Sequence, residues 1–395
     1  MTRVATSWLV YRLTDSAFLL GLASFAGQIP ILFLTPFAGV WVDRWDRHRT
    51  LVVTQILSML QSFALAALAL THVINVYEIL ALALAQGAIN AFDMPARQSF
   101  VVQMIERRED LGNAIALNSS MVNGARLIGP AIAGMVIAAV GEGYCFLTDG
   151  FSYLAVVASL LAMRNLRKSA RRESRHLGAE LREGWQYVSG SSAIRAVLLF
   201  LTLVSVVGMP YTVLMPIFAS SILGGGPHTL GFLMAASGLG ALAGAFTLAM
   251  RRSVLGLGRV IIWSASLFAA GLVVFGLSRA LVLSLAAVAM AGFGMMRHMA
   301  SSNTIVQTIV EEDKRGRVMA YYSMAFQGLA PFGSLAAGAI AARFGAPATI
   351  IGGGFLCLAG AFWFWTRLPG IRRIIRPIYQ QLGILPLPET PVPDA

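Results

Sequence analysis

Apolar runs long enough to cross a bilayer follow one another along almost the whole chain. A transmembrane helix needs about 20 predominantly apolar residues, with a range of roughly 17 to 25. Because Gly and Pro recur inside the runs, as lipid-embedded helices tolerate, the pattern predicts an all-α membrane protein. Eleven runs meet that length, near residues 17–42, 50–71, 74–92, 113–140, 143–163, 195–222, 228–250, 257–277, 280–300, 317–342 and 345–366.

A shorter apolar segment, Val4 to Leu13, precedes the first run. As a helix, its roughly ten residues would rise about 15 Å, half of a hydrocarbon core. It is either part of a first transmembrane helix or a re-entrant or interfacial piece. We favour truncation or a misassigned start, so the sequence predicts a twelve-helix design whose first helix is partial.

The distribution of charge gives the topology. The chain is 57% hydrophobic and 12% charged, whereas soluble domains carry roughly a quarter charged residues. The net charge of +12 could indicate a nucleic-acid partner, but the basic residues concentrate in alternate loops, which is the positive-inside pattern. The pattern therefore predicts a multi-pass protein of the cell membrane (bacterial inner membrane), a cytoplasmic C-terminus and no nucleic-acid partner. The basic groups are Arg44, Arg47 and Arg49; Arg107 and Arg108; Arg164 through Arg182; Arg251, Arg252 and Arg259; Lys314, Arg315 and Arg317; and Arg367 through Arg376.

An internal repeat divides the chain into two halves. An offset of 204 positions aligns residues 98–141 with 302–345 without a gap and brings five glycines into register. The repeat predicts two pseudo-symmetric six-helix bundles of the major facilitator fold. The aligned glycines are Gly112, Gly124, Gly129, Gly134 and Gly141 with Gly316, Gly328, Gly333, Gly338 and Gly345.

Four segments follow from the repeat and the loop lengths. We predict an N-terminal bundle over 1–163, a cytoplasmic linker over 164–194, a C-terminal bundle over 195–367 and a partly disordered cytoplasmic tail over 368–395. Apolar residues at helical spacing in the linker favour an amphipathic helix in the membrane interface, and a plain solvated linker is the alternative. These apolar residues are Leu177, Leu181, Trp185 and Val188.

Charged and polar side chains inside the spans are the candidates for the cavity or for ion coupling. Charges at membrane depth are costly, and they usually face a cavity or a partner. The offset pairs Asp93 with Arg297, an acid with a base. The alternative is that Asp93, Arg97, Arg297 and His298 lie close enough to the cytoplasmic end to snorkel. Asp149 lies nearer the outer end, where we expect a structural or interfacial group. The candidate set is Asp93, Asn123, Arg126, Arg297, His298 and Gln327.

The segment from Gly39 through Asp43 to Arg49 resembles the major facilitator loop signature, in which a Gly is followed four residues later by Asp and then by spaced basic residues. The resemblance implies that Asp43 contacts the start of the eleventh span near Gly316 and helps to hold the cytoplasmic side shut, with Arg97 as a cationic partner. The expected gate residues are Gly39, Asp43, Arg44, Arg47, Arg49 and Arg97.

Other motifs resemble one branch of this superfamily, the transmembrane secretion effector-like proteins that include enterobactin-type siderophore exporters and macrolide efflux proteins. They are Pro95-Ala-Arg97-Gln98, the stretch from Asn113 to Asn118, and Arg315-Gly-Arg317. A further group, Gly124, Gly129, Pro130 and Gly134, is similar to the antiporter signature of the fifth helix, except that Ala133-Gly134 stands where paired glycines are expected. The signature implies export.

The leading hypothesis is proton-coupled efflux of small amphiphilic compounds of the drug, macrolide or siderophore class by a monomer that alternates access, with Asp93 as the protonated acid. An importer or lipid carrier of the same fold and a non-transporting scaffold are the alternatives. The sequence contains no phosphate-loop, H-E-x-x-H or G-x-S-x-G motif, so it predicts no enzymatic activity, cofactor or metal. The glycines from Gly238 to Gly244 superficially resemble a nucleotide-binding fingerprint, but their last spacing is wrong and they lie within a transmembrane span. Close packing of helices explains them better.

Overall fold

The computed structural model describes residues 1–103, 111–163, 177–251, 253–381 and 385, and every regular element in them is helical. The N-terminal bundle contains α1 (Thr2–Thr14), α2 (Ala17–Arg44), α3 (Arg47–Leu70), α4 (Val76–Gln103), α5 (Leu111–Val140) and α6 (Glu142–Ala162), and α7 (Leu177–Gly190) follows in the linker. The C-terminal bundle contains α8 (Ser192–Leu203), α9 (Tyr211–Ile217), α10 (Pro227–Ala249), α11 (Leu257–Leu277), α12 (Leu281–Ile309), α13 (Arg315–Ser323), α14 (Ala330–Phe344) and α15 (Ala346–Gln381).

Two of the spanning rods are interrupted by π-helical turns. The turns Val204–Gly208 and Phe218–Ile222 continue α8 and α9 into one span, and Met324–Gly328 joins α13 to α14. In the part of the chain that the structure describes, ten helices are long and apolar enough to cross a membrane. The 30-residue helix α5 adds an eleventh rod, so the all-α membrane fold predicted from the apolar runs is confirmed.

Short polar turns fix where the helices begin and end. Asp46 caps α3, because its carboxylate accepts hydrogen bonds from the backbone N–H groups of His48 and Arg49 at 2.9 and 3.2 Å, which are unpaired donors of the first turn. Gly141 and Gly345, 204 positions apart, have φ of 91° and 83° in the tight turns after α5 and α14. Only glycine adopts such values without strain, which explains this part of the repeat.

The bundles approach each other most closely where glycines of facing helices cross. A Cβ added to Gly338 of α14 would lie 2.9 Å from Gly21 Cα of α2, and one added to Gly134 of α5 would lie 2.9 Å from Gly231 Cα of α10. We call the end with the turns after α2, α10 and α12 the Arg-rich end, and the other the distal end. Both crossings lie in the distal half, near the start of α2 and α10 and the end of α5 and α14.

The offset between the halves is not constant. Gly87 of α4 and Gly292 of α12, 205 positions apart, occupy equivalent places. A Cβ added to Gly87 would collide with the carbonyl oxygen of Gly27 in α2, and one added to Gly292 would collide with that of Ser237 in α10. Since the offset is 204 from residue 98 onwards, it changes between residues 87 and 98, the interval that contains Asp93, and the pairing of Asp93 with Arg297 stays a prediction. One residue rotates a helix by about 100°, which changes the face on which a side chain lies.

The linker helix α7 packs against α13 at the Arg-rich end. Glu183 Oε2 forms an ion pair with Arg317 Nη1 at 2.7 Å. The centre of the Trp185 ring lies 5.9 Å from the centre of the Tyr321 ring. Gly184 allows the close approach, since a Cβ there would lie 2.9 Å from the Tyr321 ring. The helix thus rests on the first half of the eleventh span.

The last helix continues past the expected end of the bundle at residue 367. Helix α15 runs to Gln381, and its continuation buries Ile371, Ile375 and Tyr379 at helical spacing. Because this apolar face packs on the protein, the first part of the predicted tail, residues 368–381, is helical. The rest of the predicted tail lies outside the described residues, apart from Leu385.

Candidate coupling site in the N-terminal bundle

The carboxylate of Asp93 is buried in α4 and receives four hydrogen bonds. Thr54 Oγ1 and Gln55 Nε2 of α3 donate to Oδ1 at 2.9 and 2.6 Å. Arg97 donates to Oδ2 through Nε at 3.1 Å and Nη2 at 2.8 Å. Charge-assisted bonds to a guanidinium are among the strongest in proteins, so Asp93 and Arg97 form a fully satisfied ion pair.

The sequence places these partners by simple helical spacing. Arg97 lies one turn after Asp93 on α4, and adjacent positions on α3 present Thr54 and Gln55 to the same carboxylate. Pro95 lies between the acid and the base and has no N–H to continue the helical ladder, which weakens α4 locally. The ion pair therefore spans a point where the helix bends easily.

Asp93 and Arg97 differ in their exposure. The side chain of Asp93 is 10% exposed and that of Arg97 57%. Thr54 is seven residues after Arg47, the first residue of α3, which places the site about 10 Å from the Arg-rich end. The acid is buried, and the base, one turn nearer the Arg-rich end, is exposed and reaches back to the acid.

An aromatic stack next to Asp93 was missed by the sequence reasoning. The rings of Trp41 and Trp45 lie 6.0 and 6.4 Å from the Phe92 ring, with interplanar angles of 13° and 14°, and both tryptophans are about half exposed. The signal was available, because Trp41 and Trp45 are four residues apart on α2 and Phe92 precedes Asp93. The stack offers a flat surface to planar molecules.

The structure does not bring Arg297 and His298 to Asp93. Both belong to α12 of the C-terminal bundle, whereas all four donors to Asp93 belong to the N-terminal bundle. The guanidinium of Arg297 lies 5.3 Å from the centre of the Phe293 ring. His298 is fully buried, edge-on to Phe200 at 4.9 Å. His298 therefore belongs to the core of its own bundle.

The expected gate partners are found only in part. Arg97 pairs with Asp93. The side chains of Gly39, Asp43 and Arg44 lie outside the described residues, so the expected contact of Arg97 with Asp43 stays a prediction. Arg49 donates its backbone N–H to Asp46, and Arg47 begins α3. His48, between them, contacts the carbonyl of Leu160 in α6 at 2.7 Å.

The remaining candidates belong to α5 and to the π-helical turn before α14. The side chains of Asn123 and Arg126 lie outside the described residues, and Gln327 is exposed in the π-helical turn before α14. Of the antiporter-like group, Pro130 and Gly134 contact Gly231 of α10. A Cβ at Gly124 or Gly129 would meet no atom within 4 Å. Only the second half of the motif makes the crossing.

Curated relatives cover almost the whole chain. The Staphyloferrin A transporter of Staphylococcus aureus (strain NCTC 8325 / PS 47) is 25% identical over 370 residues, which are 92% of this chain and 92% of the relative. The multidrug efflux pump Tap of Mycolicibacterium fortuitum is 26% identical over 363 residues, 89% of this chain and 87% of the relative.

Solved structures show the same fold. The nucleoside transporter NupG matches with a TM-score of 0.71 and 14% identity over 93% of this chain and 94% of NupG. An inward open conformation of the xylose transporter XylE from E. coli matches with a TM-score of 0.67 and 13% identity over 92% of each chain. The sequence profile of the transmembrane secretion effector family matches residues 1–374. The chain therefore belongs to the transmembrane secretion effector family of major facilitator transporters.

Proposed function

We propose that this transporter exports small amphiphilic molecules from the cytoplasm in exchange for protons. The observation that carries the proposal is the position of the two glycine crossings, Gly21 with Gly338 and Gly134 with Gly231, in the distal half. Backbones in such close contact leave no passage between the bundles at that end. A route between the bundles then leads to the Arg-rich end.

The positive-inside rule gives that route a direction. Loops rich in Arg stay in the cytoplasm, so the Arg-rich end faces the cytoplasm and the crossings close the outer side. In this conformation, cargo enters from the cytoplasm, which is the first step of export. One of the relatives is a multidrug efflux pump, which supports the same direction.

The aromatic stack supports an amphiphilic cargo. Trp41, Phe92 and Trp45 form stacked rings near the Arg-rich end, where a planar apolar molecule from the cytoplasm could pack against them. Aromatic pairs contribute about 0.5–1.5 kcal/mol beyond the area they bury. The stack would select for flat, partly hydrophobic compounds.

Protonation of Asp93 would couple this cargo to the proton gradient. Protonation removes the charge attraction between the carboxyl group and Arg97 and turns one of the carboxyl oxygens into a hydrogen-bond donor. Arg97 is then released beside Pro95, where α4 bends most easily. A change of charge at one side chain would thus bias a helix of the bundle wall between two positions.

Inside-out membrane vesicles test direction and coupling together. Ethidium, a planar cationic amphiphile, should accumulate in vesicles that contain the protein when their interior is made acidic, and Asp93→Asn should abolish this gradient-driven part. Asp313→Asn is the matched control, because Asp313 is an exposed loop residue. Ethidium accumulation that does not depend on the proton gradient would contradict proton coupling. Loss of ethidium from the vesicles under the same gradient would indicate import.

A further inference from the structure

Helix α3 carries a buried polar face through the N-terminal bundle, with one carboxylate near each end. We infer that this face is a proton path from Asp149 near the distal end to Asp93 near the Arg-rich end. The inference rests on the proposed proton coupling and adds Asp149, Tyr153 and Ser58 to the residues that carry it.

The polar face is continuous along α3. Its six residues are all at most 8% exposed and recur at steps of about three to four, so they lie on one side of the helix. A spanning helix normally buries apolar or small residues against its neighbours, and polar groups at this depth mark pathways for ions and protons. The six are Thr50, Thr54, Gln55, Ser58, Gln61 and Ser62.

Ser58 and Tyr153 connect the two halves of this face. Ser58 accepts a hydrogen bond from Gln86 Nε2 of α4 at 3.2 Å. Ser58 lies one turn before Ser62 on α3, and Tyr153 lies one turn after Asp149 on α6. Because Ser62 is bonded to Asp149, this spacing brings the Ser58 and Tyr153 side chains to the same level between the two acids. Serine and tyrosine hydroxyls both donate and accept, as a relay requires.

Asp149 holds the distal end of the path. Its Oδ2 accepts hydrogen bonds from Ser62 Oγ of α3 at 3.3 Å and from Thr2 Oγ1 of α1 at 2.5 Å. Charged groups near it include the α-amino group of Met1, 3.9 Å from Oδ1. Glu142, two turns earlier on α6, is paired with Arg12 at 2.7 Å. The acid is therefore bonded to the polar face.

The depths of the two acids fit a path of short steps. Asp149 is seven residues after the first residue of α6, Glu142, so it lies about 10 Å below the distal end. Asp93 lies about as far from the Arg-rich end. In a hydrocarbon core of about 30 Å, roughly 10 Å remain between them, and this is the level of Ser58 and Tyr153.

Two amide oxygens on this path lack a donor among the described residues. Gln61 Oε1 and Gln86 Oε1 are buried without a hydrogen-bond partner, although an unsatisfied buried acceptor costs about 1–3 kcal/mol. Water or hydronium between successive hydroxyls would donate to them, as buried waters commonly do for such groups. The two glutamines would thus position the water molecules between the hydroxyl groups of the path.

The transfer leaves every intermediate group unchanged. Asp149 takes one proton from the distal side, and each hydroxyl or water accepts one proton while it passes its own to the next group. Thr54 finally gives its proton to Asp93 Oδ1, to which it already donates, and receives one in return. The net change is one proton moved to Asp93, whose pairing with Arg97 is then weakened.

Tyr153→Phe removes the central hydroxyl and keeps the ring, so it tests the path with little risk to the fold. Tyr144→Phe is the control, because Tyr144 lies on the same helix with an exposed side chain. In proteoliposomes that contain the pH dye pyranine, ethidium addition should start a proton flux. Positioned proton-transfer groups typically contribute about 10²–10⁴-fold, so we expect Tyr153→Phe to slow the flux at least about tenfold and Tyr144→Phe to change it less than about twofold.

Labelling with dicyclohexylcarbodiimide gives a readout that does not depend on transport. The reagent adds to carboxyl groups in the membrane interior, so it should modify position 149 in the parent and leave that position unmodified in Asp149→Asn. An unlabelled Asp149, or a Tyr153→Phe flux equal to that of the parent, overturns the path. Ethidium movement by the parent without any proton flux contradicts the proposed coupling as well, whereas a parent flux insensitive to Tyr153 and Asp149 contradicts the path alone.

Discussion

Gly21 of α2 and Gly338 of α14 cross with so little space that a Cβ on Gly338 would lie 2.9 Å from Gly21 Cα. The backbones of two bundles touch here, and the same contact recurs between Gly134 and Gly231. Side chains at these positions would push the bundles apart, so the closed distal end depends on the absence of a Cβ at four positions.

Gly338→Val should therefore open the distal end. We expect longer distances between spin labels on cysteines introduced at Phe18 and Phe344, exposed residues of α2 and α14, measured by electron paramagnetic resonance in a background without Cys145 and Cys357. Gly124→Val is the control, because a Cβ there meets no atom within 4 Å. Distances that Gly338→Val leaves unchanged would show that the crossing does not hold this end closed.

Arg12 and Glu142 form an ion pair in which only the acid is buried, with 54% and 10% side-chain exposure. Arg12→Gln leaves Glu142 without its cation. The cost should lie between the roughly 0–1 kcal/mol of a surface pair and the about 3–5 kcal/mol of a fully buried one. The loss of stability is measured as a lower midpoint temperature of thermal unfolding in detergent. Arg343→Gln is the control, because Arg343 is an exposed residue of α14, and it should change the midpoint temperature little. Equal midpoints for the two variants would contradict the importance of the pair.

The contact of α7 with α13 should depend on packing more than on charge. Glu183 is 60% exposed, so Glu183→Gln should cost less than about 1 kcal/mol. Gly184→Val should displace α7, because the new side chain meets the Tyr321 ring. Hydrogen exchange of residues 177–190 should be faster in Gly184→Val and nearly unchanged in Glu183→Gln. The reverse order would mean that the ion pair holds the helix.

The aromatic stack should contribute to ethidium affinity. Trp41→Ala removes one of the stacked rings, and a loss of about 0.5–1.5 kcal/mol corresponds to roughly two- to tenfold weaker binding. Fluorescence anisotropy of ethidium with purified protein measures this. Trp263→Ala is the matched control, since Trp263 of α11 is 76% exposed and has no stacking partner among the described residues. Equal affinities would exclude the stack from the binding site.

The sequence predicted the features that depend on composition along one helix. Apolar runs gave the spanning rods, and the glycine repeat marked Gly134 and Gly338 as equivalent before their crossings were known. It could not give the partners of Asp93, because Thr54 and Gln55 become neighbours only through the rotation of α3 against α4. For the same reason the sequence does not decide the counterpart of Asp93, since a one-residue change of offset rotates the helix face by about 100°.

The polar face of α3 was overlooked for a related reason. Isolated Ser, Thr and Gln residues hardly lower the hydropathy of a span, so the segment looks like an ordinary apolar run. Their significance appears only when α4 and α6 supply Gln86 and Tyr153. Likewise, the order of 368–381 depends on the bundle against which Ile371 and Ile375 pack, and that surface is not visible in the local sequence.

Simultaneous recording of ethidium and proton movement in one proteoliposome preparation tests the central claim most directly. We predict that ethidium added on one side moves across the membrane as protons move the opposite way, and that Asp93→Asn stops the proton flux while Asp313→Asn leaves both movements unchanged. Ethidium transport with no accompanying proton movement, or a proton flux that survives in Asp93→Asn, would contradict the account.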